Sequence, residues 1–456
     1  MSMDTPICDF VRRYAGSNAL RLHMPGHKGV SILGMEQLDI TEIQGADSLY
    51  EPEGIIRQSE ANAGMLFGSE TLYSTEGCSQ CIRAMLYLAV LHAKQQGKQP
   101  LIVAARNVHK TFLSAAALLD FEVMWLYPRM PDSYLSCRLD AEDLDRTLSQ
   151  ADRMPVAVYL TSPDYLGNLA DIKAVAAVCR RHGVLLLVDN AHGAYLRFLQ
   201  PSQHPIDLGA DLCCDSAHKT FPVLTGGAYL HISKKAPAVF REQAKSAMML
   251  FGSTSPSYLI LQSLDRVNAY LADGYSHRLA AFAAQVRQLK TKLTAHGYCL
   301  QGEEPLKITV SAKPYGYTGD QLAQILFKQG IVCEFSDPDF VVMMLTPELV
   351  EVTRLEQVLL AIPPRSVSGE KPPVFSGCTP EMTIRQAMLS PSETVPAEKS
   401  VGRVLASPSI GCPPAVPIVV CGERIDEAAV KCFSYYGIER CTVVVADRKS
   451  EMCYDG

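Results

Sequence analysis

The chain has 456 residues, of which 48% are hydrophobic and 20% are charged, and its formal net charge is −6. The chain is longer than a typical single domain, which predicts a large domain with one or two smaller ones. The composition is that of a globular protein. A net negative charge gives no positive electrostatic potential that would attract DNA or RNA, so we expect no nucleic-acid partner.

The first twenty residues contain no basic segment followed by a long apolar run, so no signal peptide is predicted. No apolar run approaches the ~20 residues that cross a bilayer, and we expect no membrane partner. The 15 cysteines are odd in number and scattered. Such usage is typical of buried thiols in a reducing cytoplasm, which is the location we expect.

Cys78 and Cys81 form a lone C-x-x-C pair. A redox pair or half of a metal site would have this spacing, but no second pair is present to complete a metal site. The simpler interpretation is two helix residues one turn apart. We therefore predict no metal ligands.

Strand-like and helix-like segments alternate through the middle of the chain. Asp171 can cap a helix that ends at Gly183, with an apolar stripe between them. This alternation predicts a parallel sheet with right-handed crossovers, whose ligands collect at the carboxyl ends of the strands. The predicted strands are short apolar runs, buried on both faces: Leu101–Ala105, Glu122–Tyr127, Pro155–Leu160 and Gly183–Asp189.

The pattern becomes helical from about Phe240 to Leu293. The stretch PPRSVSGEKPP, from Pro363 to Pro373, is typical of a linker or an exposed loop. Further on, GCPPAVPIVVCGERI, from Gly411 to Ile425, predicts a Pro-rich approach to another strand.

A strand-end aspartate and a later lysine together predict a cofactor site. Asp189 closes a predicted strand, and a buried carboxylate is costly unless it meets a cation such as a protonated pyridine nitrogen. Lys219 follows between two stretches that look like buried strands. A lysine amine that has lost its proton forms a Schiff base with an aldehyde. The pair therefore fits pyridoxal 5′-phosphate, whose charged ring withdraws electrons.

Other residues can hold the remainder of such a cofactor. Gly77 allows a tight backbone and Ser79 offers a hydroxyl at the start of a predicted helix, which is an arrangement that binds phosphate. His109 can stack on the ring, and the lysine loop can add contacts from Ser216 and His218. Each residue also has an ordinary explanation, since most lysines are solvated and many glycines and aspartates serve only turns. The order and the strand-end placement of the set favour the cofactor site.

With these residues assembled, the chain resembles the Orn/Lys/Arg decarboxylase family of fold-type-I pyridoxal phosphate enzymes over nearly its full length. The resemblance implies an α/β, aspartate-aminotransferase-like large domain with a mostly parallel seven-stranded sheet, plus smaller α+β C-terminal domains. The implied domains are an N-terminal arm (1–45), a cofactor-binding domain (46–290), a small α/β domain (291–365) and a C-terminal decarboxylase domain (366–456). The motifs that carry the resemblance are LRLHMPGHKG (20–29), NVHKTF (107–112), VDNAHGAY (188–195), DSAHKT (215–220) and the segment 401–425.

The resemblance also implies roles for single residues. Lys219 would be the Schiff-base lysine, Asp189 would face the pyridinium nitrogen, and His109 would stack on the ring. His192 would lie near the cofactor's phenolic oxygen or the substrate carboxylate, and His218 is a further catalytic candidate. The segment 253–265 resembles one that reaches a neighbouring subunit, which implies at least a homodimer with shared sites. The expected cofactor contacts are Gly77, Cys78, Ser79, His109, Asp189, His192, Ser216, His218 and Lys219.

The implied reaction is decarboxylation of a basic amino acid, a small-molecule substrate. Arginine is favoured because short-form members include biosynthetic arginine decarboxylases, and lysine and ornithine stay open. Several departures from the family pattern touch the cleft. In the phosphate loop Glu76 replaces an asparagine and Cys78 replaces a hydroxyl residue, and further along the chain Asp164 replaces a threonine. The candidates for holding a basic side chain are Glu423, Asp164 and Glu51.

Two other classes compete with this interpretation. An aminotransferase or a β- or γ-eliminating lyase would use the same fold, lysine and aspartate. An aminotransferase usually needs a C-terminal arginine for the substrate carboxylate, and the available ones are Arg354, Arg385, Arg403 and Arg424. A non-catalytic, ligand-sensing protein is the third class, but the intact Lys219 argues against it.

Overall fold

A seven-stranded sheet forms the centre of the computed structural model, which describes residues 3–128, 133–349, 351–367, 369–373, 377–408 and 415–445. Its strands are β1 (Glu70–Ser74), β2 (Leu101–Ala105), β3 (Glu122–Leu126), β4 (Ala157–Thr161), β5 (Leu185–Asp189), β6 (Leu212–Asp215) and β7 (Ala228–Ile232). They lie in the order β1-β7-β6-β5-β4-β2-β3, and only β7 runs antiparallel to its neighbours. The expected mostly parallel seven-stranded sheet is confirmed.

Eleven helices precede or surround this sheet: α1 (Pro6–Ala15), α2 (Ile55–Phe67), α3 (Gly77–Gln95), α4 (Lys110–Leu119), α5 (Ala141–Ser149), α6 (Ile172–His182), α7 (Pro205–Leu208), α8 (Ala217–Thr220), α9 (Ala238–Leu250), α10 (Tyr258–Ala272) and α11 (Tyr275–Ala295). Alternate side chains of one strand enter two different cores. On β4, for example, Tyr159 packs in the larger core, whereas Val158 and Leu160 pack in the smaller one with α5 and α6. Both faces of the sheet are thus covered, as in other parallel sheets.

The predicted helix between β4 and β5 illustrates how local sequence determined these elements. The Asp171 side chain accepts a hydrogen bond from the Ala174 N–H at 2.9 Å, and Gly183 ends the helix in the left-handed conformation. Ile172, Val175 and Cys179 form its buried stripe. The predicted strands were also correct to within two residues, and the helical stretch from Phe240 to Leu293 corresponds to α9, α10 and α11.

A second, four-stranded sheet follows, in the order β10-β11-β9-β8. It consists of β8 (Cys299–Gln301), β9 (Lys307–Ser311), β10 (Phe335–Ser336) and β11 (Phe340–Met344), with helices α12 (Gly319–Lys328) and α13 (Val352–Ala361). Helix α11 packs against both β8 and α13, and it runs through the boundary predicted at residue 290. The division into domains therefore stays a prediction.

The C-terminal region contains two small antiparallel pairs, β12 (Thr379–Pro380) with β14 (Glu423–Arg424) and β13 (Ser392–Pro396) with β15 (Arg440–Val444). Helices α14 (Ile384–Leu389) and α15 (Glu427–Tyr435) accompany them, and 3₁₀ turns occur at Ala194–Phe198, Lys313–Tyr315 and Ala397–Lys399. The described residues of the predicted linker, 363–367 and 369–373, contain no helix or strand.

The strand predicted after the Pro-rich stretch begins only at Glu423, and residues 411–414 of that stretch lie outside the described residues. Several backbone groups before Glu423 form hydrogen bonds with side chains. The Arg106 guanidinium donates to the carbonyls of Pro417 and Ile418 at 3.1 and 2.9 Å. The Val420 N–H donates to the Glu423 carboxylate at 2.7 Å.

A buried polar network joins the end of β6 to β7. Asp215 accepts hydrogen bonds from His204 Nε2 at 3.0 Å, His231 Nε2 at 3.1 Å and Asn190 Nδ2 at 2.7 Å. Burial alone would raise the pKa of the Asp215 carboxyl, but the two imidazoles outweigh it and hold the pKa well below its usual range. The ligand atoms of Asp215, His204 and His231 lie close enough together to hold a metal ion, but the hydrogen bonds between them already explain the cluster.

Replacement of Asp215 by alanine should lower the free energy of unfolding by about 3–5 kcal/mol, because it leaves two buried imidazoles and an amide without their acceptor. Urea denaturation would measure this loss, with the exposed Asp152→Ala as the matched control. Since the folded pKa of Asp215 is depressed, its stabilisation is present above the unfolded pKa of about 4 and is lost as the pH falls through the folded value. A variant as stable as wild type at pH 7 would contradict this role.

No helix within the described ranges combines the length and the apolar character that a bilayer crossing requires.

Candidate active site

A cavity of about 280 Å³ opens where the parallel strands of the large sheet end. Asp189 is the last residue of β5, Thr161 is the last residue of β4, and Ser216 directly follows β6. Such strand ends are where ligands of parallel sheets bind. All nine predicted cofactor contacts line this one cavity: Gly77, Cys78, Ser79, His109, Asp189, His192, Ser216, His218 and Lys219.

Lys219 lies on the short helix α8, which turns the chain between β6 and β7. Its amine is 2.9 Å from Nε2 of His192. His192 is buried, and burial lowers the pKa of its imidazole well below the ordinary value, with Lys219 and Lys307 acting in the same direction. His192 is therefore a neutral imidazole in contact with the lysine amine.

Asp189 is buried at the floor of the cavity. Its carboxylate accepts hydrogen bonds from the Tyr159 hydroxyl and the Ala191 N–H, both at 3.2 Å, and from the thiol of Cys214 at 3.7 Å. Burial raises the pKa of this carboxyl above its usual value, against the opposing influence of Lys219 and of the hydrogen bonds. These donors are all neutral, so the carboxylate would gain from a cationic ligand group in the cavity.

The start of α3 forms the phosphate end of the predicted site. Gly77 adopts a left-handed φ of 67° and donates its N–H to the Gly226 carbonyl at 2.8 Å. A Cβ at this glycine would meet no atom within 4 Å, so the conformation, and not a lack of space, requires glycine. The Ser79 hydroxyl lies 3.2 Å from that of Thr111. Cys78 and Cys81 are buried free thiols one turn apart on this helix.

Two further histidines, His109 and His218, line the cavity. His109 caps α4, where its Nδ1 accepts from the Thr111 N–H at 3.2 Å. Burial, followed by the positive charge of Lys219, lowers the pKa of His109 to about 4, so its ring is neutral. His218 Nδ1 donates to the Gly227 carbonyl at 2.9 Å, and burial lowers the pKa of its imidazole.

Two charged residues at the cavity were missed by the sequence reasoning. Glu334, just before β10, lines the cavity at its exposed edge and accepts a hydrogen bond from the Tyr165 hydroxyl at 3.1 Å. Lys307, the first residue of β9, is buried and contacts His192 from behind, with 3.3 Å between Nζ and Nδ1. Lys307 lies on the four-stranded sheet, Glu334 directly precedes it, and no local motif marks either residue.

Comparison with known proteins identifies the family. The profile described as "Orn/Lys/Arg decarboxylase, major domain" matches residues 5–309. The chain belongs to the Orn/Lys/Arg decarboxylase family. The expected family and the expected class of enzyme, an amino acid decarboxylase, are confirmed.

Relatives in this decarboxylase family match nearly the whole chain. An arginine decarboxylase of Bacillus subtilis (strain 168) is 27% identical over 93% of this chain and 92% of its own length. An arginine decarboxylase of Halalkalibacterium halodurans is 28% identical over 93% and 91%. The constitutive lysine decarboxylase of E. coli has a similar structure, with a TM-score of 0.76 at 16% identity over 97% of this chain and 82% of its own. This last likeness confirms the fold, fold type I.

The donor set fits the pyridoxal phosphate that the decarboxylase resemblance implied. The buried Asp189 carboxylate has only neutral donors among the described residues, as a pyridinium partner would require. Two buried oxygens of residues lining the cavity, Thr161 Oγ1 and Asn107 Oδ1, have no partner among the described residues. The N–H groups at the start of α3 offer the donors that a phosphate needs.

None of the three acids predicted to hold a basic side chain lines the cavity of the single chain. Glu423 is buried against Arg106, with 3.2 Å between their charged atoms. Asp164 turns away and accepts from the Asn168 side chain at 2.8 Å, and Glu51 is exposed in the loop before α2. Apart from Asp189, the acid that lines the cavity is Glu334.

The four C-terminal arginines that an aminotransferase could use are also outside the cavity. Arg354 pairs with Glu351 at 3.1 Å, and Arg403 pairs with Glu393 at 2.6 Å. Arg424 pairs with Glu381, and Arg385 donates to the Ala117 carbonyl at 2.7 Å. Among the described residues that line the cavity, none is an arginine.

Proposed function

We propose that this decarboxylase uses pyridoxal 5′-phosphate to release CO2 from a basic amino acid and that arginine is its preferred substrate. The observation that carries the proposal is the meeting of Lys219 and Asp189 in one cavity, at the carboxyl ends of parallel strands. The two relatives described above are named arginine decarboxylases, which supports arginine over lysine and ornithine.

When bound, pyridoxal 5′-phosphate supplies an electron-withdrawing ring that accepts the electron pair left by departing CO2. Asp189 would keep the ring nitrogen protonated, and the neutral His109 ring would provide a flat surface on which the cofactor stacks. The start of α3, with Gly77 and Ser79, would bind the phosphate. Cys78 and Ser216 would complete these contacts.

Lys219 would hold the cofactor's aldehyde carbon until the substrate amine replaces it. His192 would donate a hydrogen bond to the cofactor's phenolic oxygen or to the substrate carboxylate. Lys219, once released, and His218 line the cavity and can return a proton to the α-carbon.

Glu334 would bind the far end of the substrate. It is an acid at the exposed edge of the cavity, and its carboxylate can accept two parallel hydrogen bonds from a guanidinium group. Tyr165 donates to it at 3.1 Å and thereby orients it. An acidic substrate would be repelled at this position, so the charge favours a basic one.

Replacement of Glu334 by glutamine should lower kcat/KM for the preferred basic amino acid by roughly 10- to 100-fold, because a charged hydrogen-bond pair becomes a neutral one. Most of the change should be in KM if the contact is equally strong in the bound substrate and in the transition state, and in kcat if it strengthens in the transition state. Steady-state kinetics would measure it. The control is Glu351→Gln, which removes an acid from a neighbouring cavity that Glu334 also lines. Unchanged kinetics in the Glu334 variant would contradict the assignment.

A panel assay tests the proposed reaction itself. The purified enzyme with added pyridoxal 5′-phosphate is incubated with each of the twenty amino acids and with ornithine, and both CO2 and the organic product are measured. The expected result is CO2 and agmatine from arginine. A keto acid without CO2 would establish transamination instead, although the lack of arginine among the described cavity residues disfavours that alternative.

The same proposal includes a homodimer in the cytoplasm. The segment from residue 20 to 38 exposes several large apolar side chains, such as Leu22 at 84% and Leu33 at 81%, and contiguous exposed apolar surface is typical of protein interfaces. The thirteen cysteines in the described residues are all free thiols, which supports a reducing compartment.

A further inference from the structure

The stretch 415–422, directly before β14, forms one wall of the active-site cavity. Ala415 and Val416 line the cavity, and both residues are buried. The residues of this stretch belong to no helix or strand, so they lack the regular backbone hydrogen bonds that hold a strand in its sheet. The position of this wall therefore depends on hydrogen bonds from other parts of the chain.

Arg106, which directly follows β2, binds this stretch through its guanidinium group. Its Nη1 donates to the Pro417 carbonyl at 3.1 Å, and its Nη2 donates to the Ile418 carbonyl at 2.9 Å. The same Nη2 lies 3.2 Å from the Glu423 carboxylate, where the stretch ends. The planar fork of a guanidinium reaches two adjacent carbonyls and a carboxylate together, whereas the compact ammonium group of a lysine does not match this arrangement.

Val416 lies between two attachment points of the wall. After it come the two carbonyls that bind Arg106. Before it, the Ala415 carbonyl accepts a hydrogen bond at 2.8 Å from the N–H of Lys110, the first residue of α4. Because the backbone is bound on both sides of Val416, this side chain has a fixed place in the wall of the cavity.

The packing of Val416 puts it at the substrate end of the cavity. Val416 shares a small apolar cluster with Tyr165 and Phe335. The Tyr165 hydroxyl donates to Glu334, and Phe335 directly follows Glu334 in the chain. Glu334 is the residue proposed above to bind the far end of the substrate. A side chain in this cluster can therefore limit the length of the substrate that fits.

We propose that Arg106 is a positioning residue that holds residues 415–418 against the cavity, so that Val416 bounds the far end of the substrate and limits its length. The inference rests on the proposed function, because the substrate is taken to be a basic amino acid. Arginine, lysine and ornithine share a positive end and differ in length. The choice among them is thus assigned to a wall that the C-terminal region supplies and Arg106 secures.

Substitutions of Val416 test the wall directly. Val416→Phe adds volume and should lower kcat/KM for arginine, the longest of the three, about tenfold more than for ornithine, the shortest. Val416→Ala removes volume and should shift this ratio in the opposite direction. The matched control is Val419→Ala, because Val419 is buried in a different cluster and does not line the cavity. The control should keep the wild-type ratio, and a wild-type ratio in Val416→Ala would overturn the proposal.

Arg106→Lys tests the attachment of the wall. The variant keeps a positive charge beside the buried Glu423, so it should fold, but it loses the fork that reaches both carbonyls. The Val420 N–H, which donates to Glu423 at 2.7 Å, should exchange its hydrogen with solvent about tenfold faster. The ratio of kcat/KM for arginine to that for ornithine should shift in the same direction as in Val416→Ala. Mass spectrometry of amide exchange in the full chain and steady-state kinetics would measure the two effects.

Arg403→Lys is the matched control, because Arg403 also pairs with an acid and donates to a backbone carbonyl, that of Val444 at 2.8 Å, and does not line the cavity. It should change neither the exchange at Val420 nor the ratio. Unchanged exchange or an unchanged ratio in Arg106→Lys would overturn the proposal. Dissociation constants of arginine and ornithine, measured by calorimetry, should follow the same pattern in every variant. They report the wall even in an enzyme that releases no CO2, so a failure of the proposed decarboxylation is distinguished from a failure of this inference.

Discussion

Replacement of Lys219 by alanine should abolish both the visible absorbance of the cofactor linkage and the release of CO2. The amine is the one group in our proposal that attaches the cofactor covalently, and it is also a candidate to return the proton. Loss of both roles should lower kcat by more than about 10⁴-fold. Absorbance spectra of the purified protein and a CO2-release assay would measure the two effects.

Lys219→Arg is the matched control for charge. It keeps a positive group beside His192, but a guanidinium does not lose its proton at neutral pH and cannot form the linkage. It should therefore be as colourless and inactive as the alanine variant. An alanine variant that remains yellow and turns over substrate at the wild-type rate would refute the assignment of Lys219.

Replacement of Asp189 by asparagine should weaken cofactor binding and lower kcat by roughly 10²- to 10³-fold. The amide preserves the size of the side chain but removes the buried negative charge that would keep the ring nitrogen protonated. Equilibrium binding of pyridoxal 5′-phosphate and steady-state kinetics would measure the two losses separately.

Asp211→Asn is the control for a changed acid on the same sheet but away from the cavity. Asp211 accepts from the Leu186 N–H at 2.8 Å, at the end of β5 opposite the cavity. The Asp211→Asn variant should bind the cofactor as tightly as wild type, even if its free energy of unfolding falls. Wild-type turnover in the Asp189 variant would exclude this carboxylate as the partner of the ring.

The large sheet could be predicted because its signals are local. Asp171 and Gly183 bracket one helix with an N-cap and a left-handed end, and the apolar runs on either side are too short for helices. The site residues on this sheet follow from the same logic, since Asp189 ends a strand and Gly77 begins a helix. Once a strand has been predicted, the location of the residue directly before or after it can be predicted as well.

Lys307 and Glu334 could not be found in this way, because their contacts join two sheets that are far apart in sequence. Lys307 begins an ordinary short strand, and a lysine there would normally be solvated. Glu334 lies in a connection without a motif. The local signal was misleading for Glu423 and Asp164, which do not line the cavity of the single chain: each is an acid near a motif, but Arg106 and Asn168 already bind their carboxylates.

The cavity is divided between the two sheets, and this division has an evolutionary consequence. Of the residues proposed for the bond-breaking chemistry, Asp189 ends β5 of the seven-stranded sheet and Lys219 lies on α8 between β6 and β7, whereas Glu334 directly precedes β10 of the four-stranded sheet. A new substrate preference can thus arise by drift within the smaller layer while the reaction type is inherited unchanged.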